Sequence, residues 1–86
     1  MMNRSREQMA SCIREQIVSV TQIVPDSLDE NMSFIKCGIS SIQAIMIINR
    51  IKKTLQLDIN PVAMFEYKNI AQLSSYLYEC QTESAL

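Results

Sequence analysis

Apolar residues recur every three or four positions through Met9, Ile13, Ile17 and Val20, the repeat of a helix that buries one stripe. Ser5 stands just ahead of this run with Gln8 three residues on. That spacing is the form of a capping box, in which each side chain satisfies the other residue's backbone N–H. A first helix is therefore expected from about Arg6 to Val20. The period then lapses across Val24-Pro25-Asp26-Ser27-Leu28-Asp29-Glu30-Asn31, where a proline and acidic residues break it, and the segment reads as a long loop. Loops of this length are usually anchored by their own side chains, and Leu28, Met32 and Phe34 are the expected plugs into the core.

Ser40 with Gln43 repeats the capping-box spacing directly after Cys37-Gly38-Ile39, so a second helix should begin at Ser41 and end near Leu55. Asn60-Pro61 suits a third start, because Asn caps and proline lacks only an N–H that would be unpaired there anyway. A short third helix from about Pro61 to Phe65 is expected. Asn69 is a further cap, ahead of an Ile70, Leu73, Leu77 stripe flanked by Tyr76 and Cys80, which predicts a fourth helix from Ile70 to Glu79. Residues 81–86 are polar and aperiodic and read as a linker stub or frayed end. The expected fold class is all-α: a four-helix bundle with a long loop between the first two helices and a short third helix, in a single domain with its core over about residues 6–80.

The second helix holds more apolar surface than one buried face uses. Ala44, Ile48, Ile51 and Leu55 form a line suited to the core, whereas Ile42, Ile45, Met46 and Asn49 lie on another side, within a turn or two of Ser41. That second set reads as a partner-facing surface; the alternative is that this helix is simply the central, wrapped one. If Ser40 is the N-cap, its hydroxyl is engaged with the first turn, and Ser41 presents the free hydroxyl. A phosphodiester on Ser41 would sit where unpaired N–H groups and the helix dipole favour an anion. Helix chemistry alone leaves two readings open: a modified serine, or two serines that only start a helix.

Composition narrows the classes. Apolar residues make up 48% of the 86-residue chain, with one Gly and two Pro, which fits packed helices rather than disorder. The eight Lys and Arg are dispersed and the net charge is −1, so no basic stripe for nucleic acid is formed. The uncharged run from Ser40 to Asn49 is far short of a membrane span, and no charged-then-apolar signal pattern opens the chain; a soluble, cytoplasmic protein is expected. Cys12, Cys37 and Cys80 show neither a disulfide framework nor metal spacing, and Cys37 reads as a small packed thiol. Without histidine the usual general base is missing, and a lone glycine builds no phosphate-cradling loop. Catalysis by this chain on its own is disfavoured.

Gly38-Ile39-Ser40-Ser41-Ile42 resembles the Gly-x-Asp-Ser-Leu/Ile signature of acyl carrier domains, whose serine carries 4′-phosphopantetheine. Phe34 with Gly38 is similar to the family's approach to that serine, and Ile48-Asn49-Arg50-Ile51 to the helix after it. Phe65-Glu66-Tyr67, followed by Ile70-Ala71-Gln72-Leu73, resembles the Phe-Glu-Tyr-Pro-Thr-Ile-x-x-Leu run of modular polyketide synthase carriers. The likeness extends from Val24 to Tyr78. Ser40 replaces the usual Asp, and Lys68-Asn69 the usual Pro-Thr.

The resemblance implies a non-catalytic carrier with phosphopantetheine on Ser41, transferred from coenzyme A, and acyl cargo held as a thioester. It also implies a phosphopantetheinyl transferase and synthase domains such as ketosynthase and acyltransferase as partners of a monomeric domain. Ile42, Ile45, Met46, Asn49 and Arg50 would form the partner interface. Ile39 stands where peptidyl carriers resemble Gly-Gly-x-Ser, and Arg50, Lys52 and Lys53 make the second helix basic where carriers of type II fatty acid synthesis look acidic. The polyketide type fits better, and Ile47 in place of Trp speaks against a β-branching carrier. The alternatives are a peptidyl carrier of a nonribosomal peptide synthetase, or a helical interaction domain with no prosthetic group.

Overall fold

The computed structural model describes residues 4–84, and all regular structure among them is helical. Helix α1 spans Arg6–Thr21, α2 Ser41–Leu55, α3 Ala63–Glu66 and α4 Ile70–Ser84, with a single 3-10 turn at Pro25–Ser27. Both capping boxes form. Ser5 Oγ accepts from the Gln8 amide at 3.2 Å while Gln8 Oε1 accepts from the Ser5 amide at 2.7 Å. Ser40 and Gln43 do the same at 3.1 and 3.0 Å. Asn69 opens α4, its Oδ1 accepting from the Gln72 amide at 2.8 Å.

The third helix starts two residues later than expected. Asn60 Oδ1 accepts from the Val62 amide and the Asn60 carbonyl from the Ala63 amide. Asn60 and Pro61 are therefore spent on a turn, and helical bonding begins only at Ala63. The Tyr76 hydroxyl accepts from the Asn60 amide at 3.4 Å, and the Tyr76 ring stacks on Tyr67 with centroids 4.6 Å apart. These contacts join the turn and the end of α3 to α4.

Helix α1 packs on α2 and α4, and α3 packs on α2. The core between them holds Met9, Ile13 and Ile17 from α1, Ala44, Ile47, Ile48, Ile51 and Leu55 from α2, and Ile70, Leu73 and Leu77 from α4. Leu28 and Phe34 plug the long loop into this core. Met32 does not; it is 37% exposed. Hydrogen bonds to backbone carbonyls hold that stretch instead: the Ala71 amide donates to Glu30 O, the Phe34 amide to Lys68 O, and the Asn69 side-chain Nδ2 to Asn31 O. Met32 lies between these tied residues, its own amide closing a turn onto Asp29 O.

Helix α4 runs past the expected end at Glu79 to Ser84, so residues 81–84 of the segment read as a tail are helical, while residues 85 and 86 lie outside the described residues. Gln81 continues the Leu77 line one turn on and is buried. Its Oε1 accepts from the Arg4 amide at 2.9 Å and its Nε2 donates to Arg4 O. Being polar, it left no mark in the apolar period. Arg6 adds a cation–π contact to Tyr78 at 5.8 Å. The start of α1 also borders a groove shared with Thr54 and Leu55. The starts of α1 and the ends of α2 and α4 therefore share one pole, and Ser41 lies at the other, a helix length of about 22 Å away. No described helix is long and apolar enough to cross a membrane.

Candidate prosthetic-group attachment site

The chain reaches Ser41 through a single helical turn that ends abruptly. The Cys37 amide donates to Ser33 O at 3.1 Å and the Lys36 amide to Ser33 Oγ at 3.2 Å. The Gly38 amide then donates to Ile35 O and the Ile39 amide to Phe34 O, at 3.0 and 3.2 Å. This pair of bonds is the Schellman arrangement, which needs a left-handed residue at its end. Gly38 supplies it with φ +83°. A Cβ at Gly38 would meet nothing within 4 Å, so the backbone angle, not crowding, calls for glycine.

Ser40 follows in extended conformation, φ −78° and ψ 166°, as the N-cap of α2. Its hydroxyl and its amide are both committed to Gln43. Ser41 is the first helical residue and is exposed. Among the described residues nothing engages its hydroxyl. The Ser41 and Ile42 amides belong to the first turn and have no intrahelical carbonyl to bond. The first turn of α2 holds no acidic side chain. A nucleophilic oxygen, orphan N–H groups and the positive end of a 15-residue helix suit a phosphodiester.

Ile42 and Met46 are 74% and 50% exposed, Ile45 is 45% exposed, and Asn49 is exposed beside them, as the spacing predicted. Arg50 is exposed but leans on α1: Nε donates to Gln16 Oε1 at 2.8 Å and Nη2 to Ser19 Oγ at 3.0 Å. The exposure of further apolar residues escaped the sequence reading, among them Ile35 in the turn before Gly38, 86% exposed, and Val62 and Phe65 at α3. Ile35 and Val62 belong to no sustained period. For Phe65, a helix of four residues gives too few positions to tell its inner from its outer face. Cys37 is half-buried, and burial pushes its thiol up. It is held protonated and is no activated nucleophile.

The model of the phosphopantetheine attachment site family matches residues 12–77. Over 66 residues the chain is 30% identical to the mycoketide-CoA synthase of Mycobacterium tuberculosis (strain ATCC 25618 / H37Rv), a stretch that is 76% of this chain and 2% of that protein. The chain thus corresponds to a very small part of that relative. Among solved structures it is similar to the HMG-ACPI domain of the CurA module from Lyngbya majuscula, with TM-score 0.86, 15% identity, and 100% of this chain and 87% of that one covered. It is also similar to a free-standing peptidyl carrier protein of an Acinetobacter baumannii secondary metabolic pathway, with TM-score 0.82, 22% identity, and 90% and 96% covered. At these identities the two structures speak for the shared fold. The family match spans the Schellman turn, the capped serine pair and the core of the bundle, and the chain belongs to the phosphopantetheine attachment site family, as a non-catalytic carrier domain whose cofactor is covalently bound phosphopantetheine.

Proposed function

We propose that the phosphopantetheine arm is attached to Ser41 and that the domain carries acyl intermediates as thioesters between enzyme domains of a polyketide synthase. The observation that carries the residue assignment is the difference between two adjacent serines. The Ser40 hydroxyl is bound to the Gln43 amide, whereas the Ser41 hydroxyl is exposed at the first position of α2. The polyketide reading is supported by the mycoketide-CoA synthase likeness and by the Phe65-Glu66-Tyr67 and Ile39 positions. The peptidyl carrier has the same fold, but Ile39 stands where its type resembles glycine.

In this reading the Ser41 oxygen bonds the phosphorus of the phosphopantetheinyl group of coenzyme A as the pyrophosphate P–O bond breaks. Adenosine 3′,5′-bisphosphate leaves, and the hydroxyl proton passes to a base of the phosphopantetheinyl transferase in whose active site this happens. The arm supplies a thiol that holds the acyl group as a thioester. The chain's own residues then do three things. The first-turn amides of α2 face the phosphodiester charge. The Schellman turn at Gly38 fixes the direction from which Ser41 is presented. The exposed Ile42, Ile45 and Met46 give ketosynthase, acyltransferase and other partner domains a small apolar surface beside the arm. Such encounters must end after each transfer, which suits an interface at the low end of the size range.

Incubation with coenzyme A and a broad-specificity phosphopantetheinyl transferase, followed by intact mass measurement, tests the reading. The wild-type chain should gain one phosphopantetheinyl group and Ser41→Ala none. A Ser41→Ala chain that still gains the mass would overturn the residue assignment.

A further inference from the structure

Helix α2 contains no Asp or Glu in any of its 15 residues, and its cations are Arg50, Lys52 and Lys53. At 100° per residue, Ile42, Met46, Asn49 and Lys53 fall on one line along the helix, and all four are exposed. The apolar stripe that starts beside Ser41 therefore ends on an ammonium group about 16 Å further along the axis.

The cations on either side of that line are not equivalent. Lys52 points toward the turn before α3 and meets Asp58 at 3.9 Å. The Arg50 guanidinium is held by the neutral Gln16 and Ser19 side chains, so its position is fixed while its charge is uncompensated by those partners. Near the Ser41 end the exposed Lys36 adds a further positive charge. The acids named around it lie on other elements: Asp58 is paired to Lys52, Glu30 is paired to Arg14 at 3.9 Å, Glu15 lines the groove beside Thr54, and Glu66 belongs to α3.

We propose that this face docks protein partners whose own surface is apolar at its centre and carboxylate-bearing at the rim that meets Lys53 and Arg50. The proposal rests on the carrier reading, because the stripe adjoins the proposed attachment serine. Charge complementarity selects the partner. A nucleic acid would need cations along the whole track, and here Ile42, Ile45 and Met46 occupy its first half. Carboxylates opposite Lys53 and Arg50 would steer the encounter and set its direction along α2, while the isoleucine and methionine side chains supply desolvated contact.

The test uses the isotope-labelled, phosphopantetheine-loaded chain and two amphipathic helical peptides that share one leucine face, with glutamate or lysine on the polar rim. Amide resonances of Ile42, Met46, Asn49 and Lys53 should shift with the glutamate peptide. Its affinity should drop several-fold on adding salt and on Lys53→Glu, and Met46→Glu should abolish it. Lys53→Glu should in turn bind the lysine peptide more tightly than the wild type does. Equal or tighter binding of the lysine peptide by the wild type, shifts confined to another face, or no binding of either peptide would each overturn the proposal. Loading is read separately by mass on the same samples. Failure to load counts against the carrier reading, whereas loading without preference for the acidic peptide sinks only the partner's polarity.

Discussion

Two neighbouring serines with identical chemistry differ here only in where the helix begins. The cap position commits the Ser40 hydroxyl to the Gln43 amide at 3.1 Å, and one residue on, the Ser41 hydroxyl has no such duty. This much is readable from Ser40 and Gln43 as letters, because a capping box is a spacing rule. Substitution of Ser40 by Ala should lower stability by about 1 kcal/mol, the usual worth of an N-cap side chain, as read from denaturant unfolding. Loading at Ser41 should persist in that variant. Where the related carriers resemble Asp, Ser40 thus keeps the cap but not the charge. Exposure of Ile35 at 86% was not readable in the same way. A side chain in a single loop turn has no periodicity to betray which way it faces.

Long elements with a buried stripe are the ones the sequence makes plain. The bounds of α2 are as expected from Ser40 and Leu55, and α1 ends one residue beyond Val20. The errors fall where local polar bonds outweigh period: the Asn60 turn delays α3, and the buried Gln81 prolongs α4. The loop likewise is fixed by backbone bonds to Lys68 and Ala71 that side-chain patterning cannot show, with Met32 left outside. Helix ends offer a direct test. The residues closing α1 and α2, Gln22 and Gln56, have φ of 64° and 54°, a left-handed conformation that costs a residue with a Cβ about 1–2 kcal/mol. The Leu57 amide bonding back to Lys52 O spans the same number of residues as the Ile39 bond to Phe34 O, while the Gln56 amide shares that Lys52 carbonyl. Gln56→Gly should therefore raise the thermal midpoint by a few degrees, corresponding to about 0.5–1 kcal/mol after glycine's greater loss of freedom. A lowered midpoint would mean that the Gln56 side chain contributes more than its backbone strain removes.

For the molecule as a whole, the Arg4–Gln81 clasp and the groove beside Leu55 occupy one pole and Ser41 the other, so under the proposed attachment at Ser41 a partner docked there would leave the clasp untouched. The buried interior also predicts how the fold responds to alkali. Burial pushes the Cys12 thiol up, with Glu15 adding to the effect, and burial likewise raises Cys37; Tyr76 is raised by burial together with its hydrogen bond to Cys80. Each group holds its proton more firmly folded than unfolded. Their contribution is therefore complete below the ordinary thiol value of 9.0, and is lost as pH rises through the thiol and then the phenol range. Thermal midpoints should fall as pH rises above about 9 toward about 10.5, and a midpoint that rises over that interval would contradict these environments.

The architecture, both capping boxes and the exposed stripe on α2 follow from patterns in the chain, but which serine bears the arm depends on atomic detail at the start of one helix. Fragmentation of the loaded wild-type peptide that contains both residues reads this directly, since cleavage between Ser40 and Ser41 assigns the added group to one side. The account predicts the phosphopantetheinyl group wholly on the fragments holding Ser41. Its presence on fragments that end at Ser40 would contradict the cap geometry as the reason for the choice.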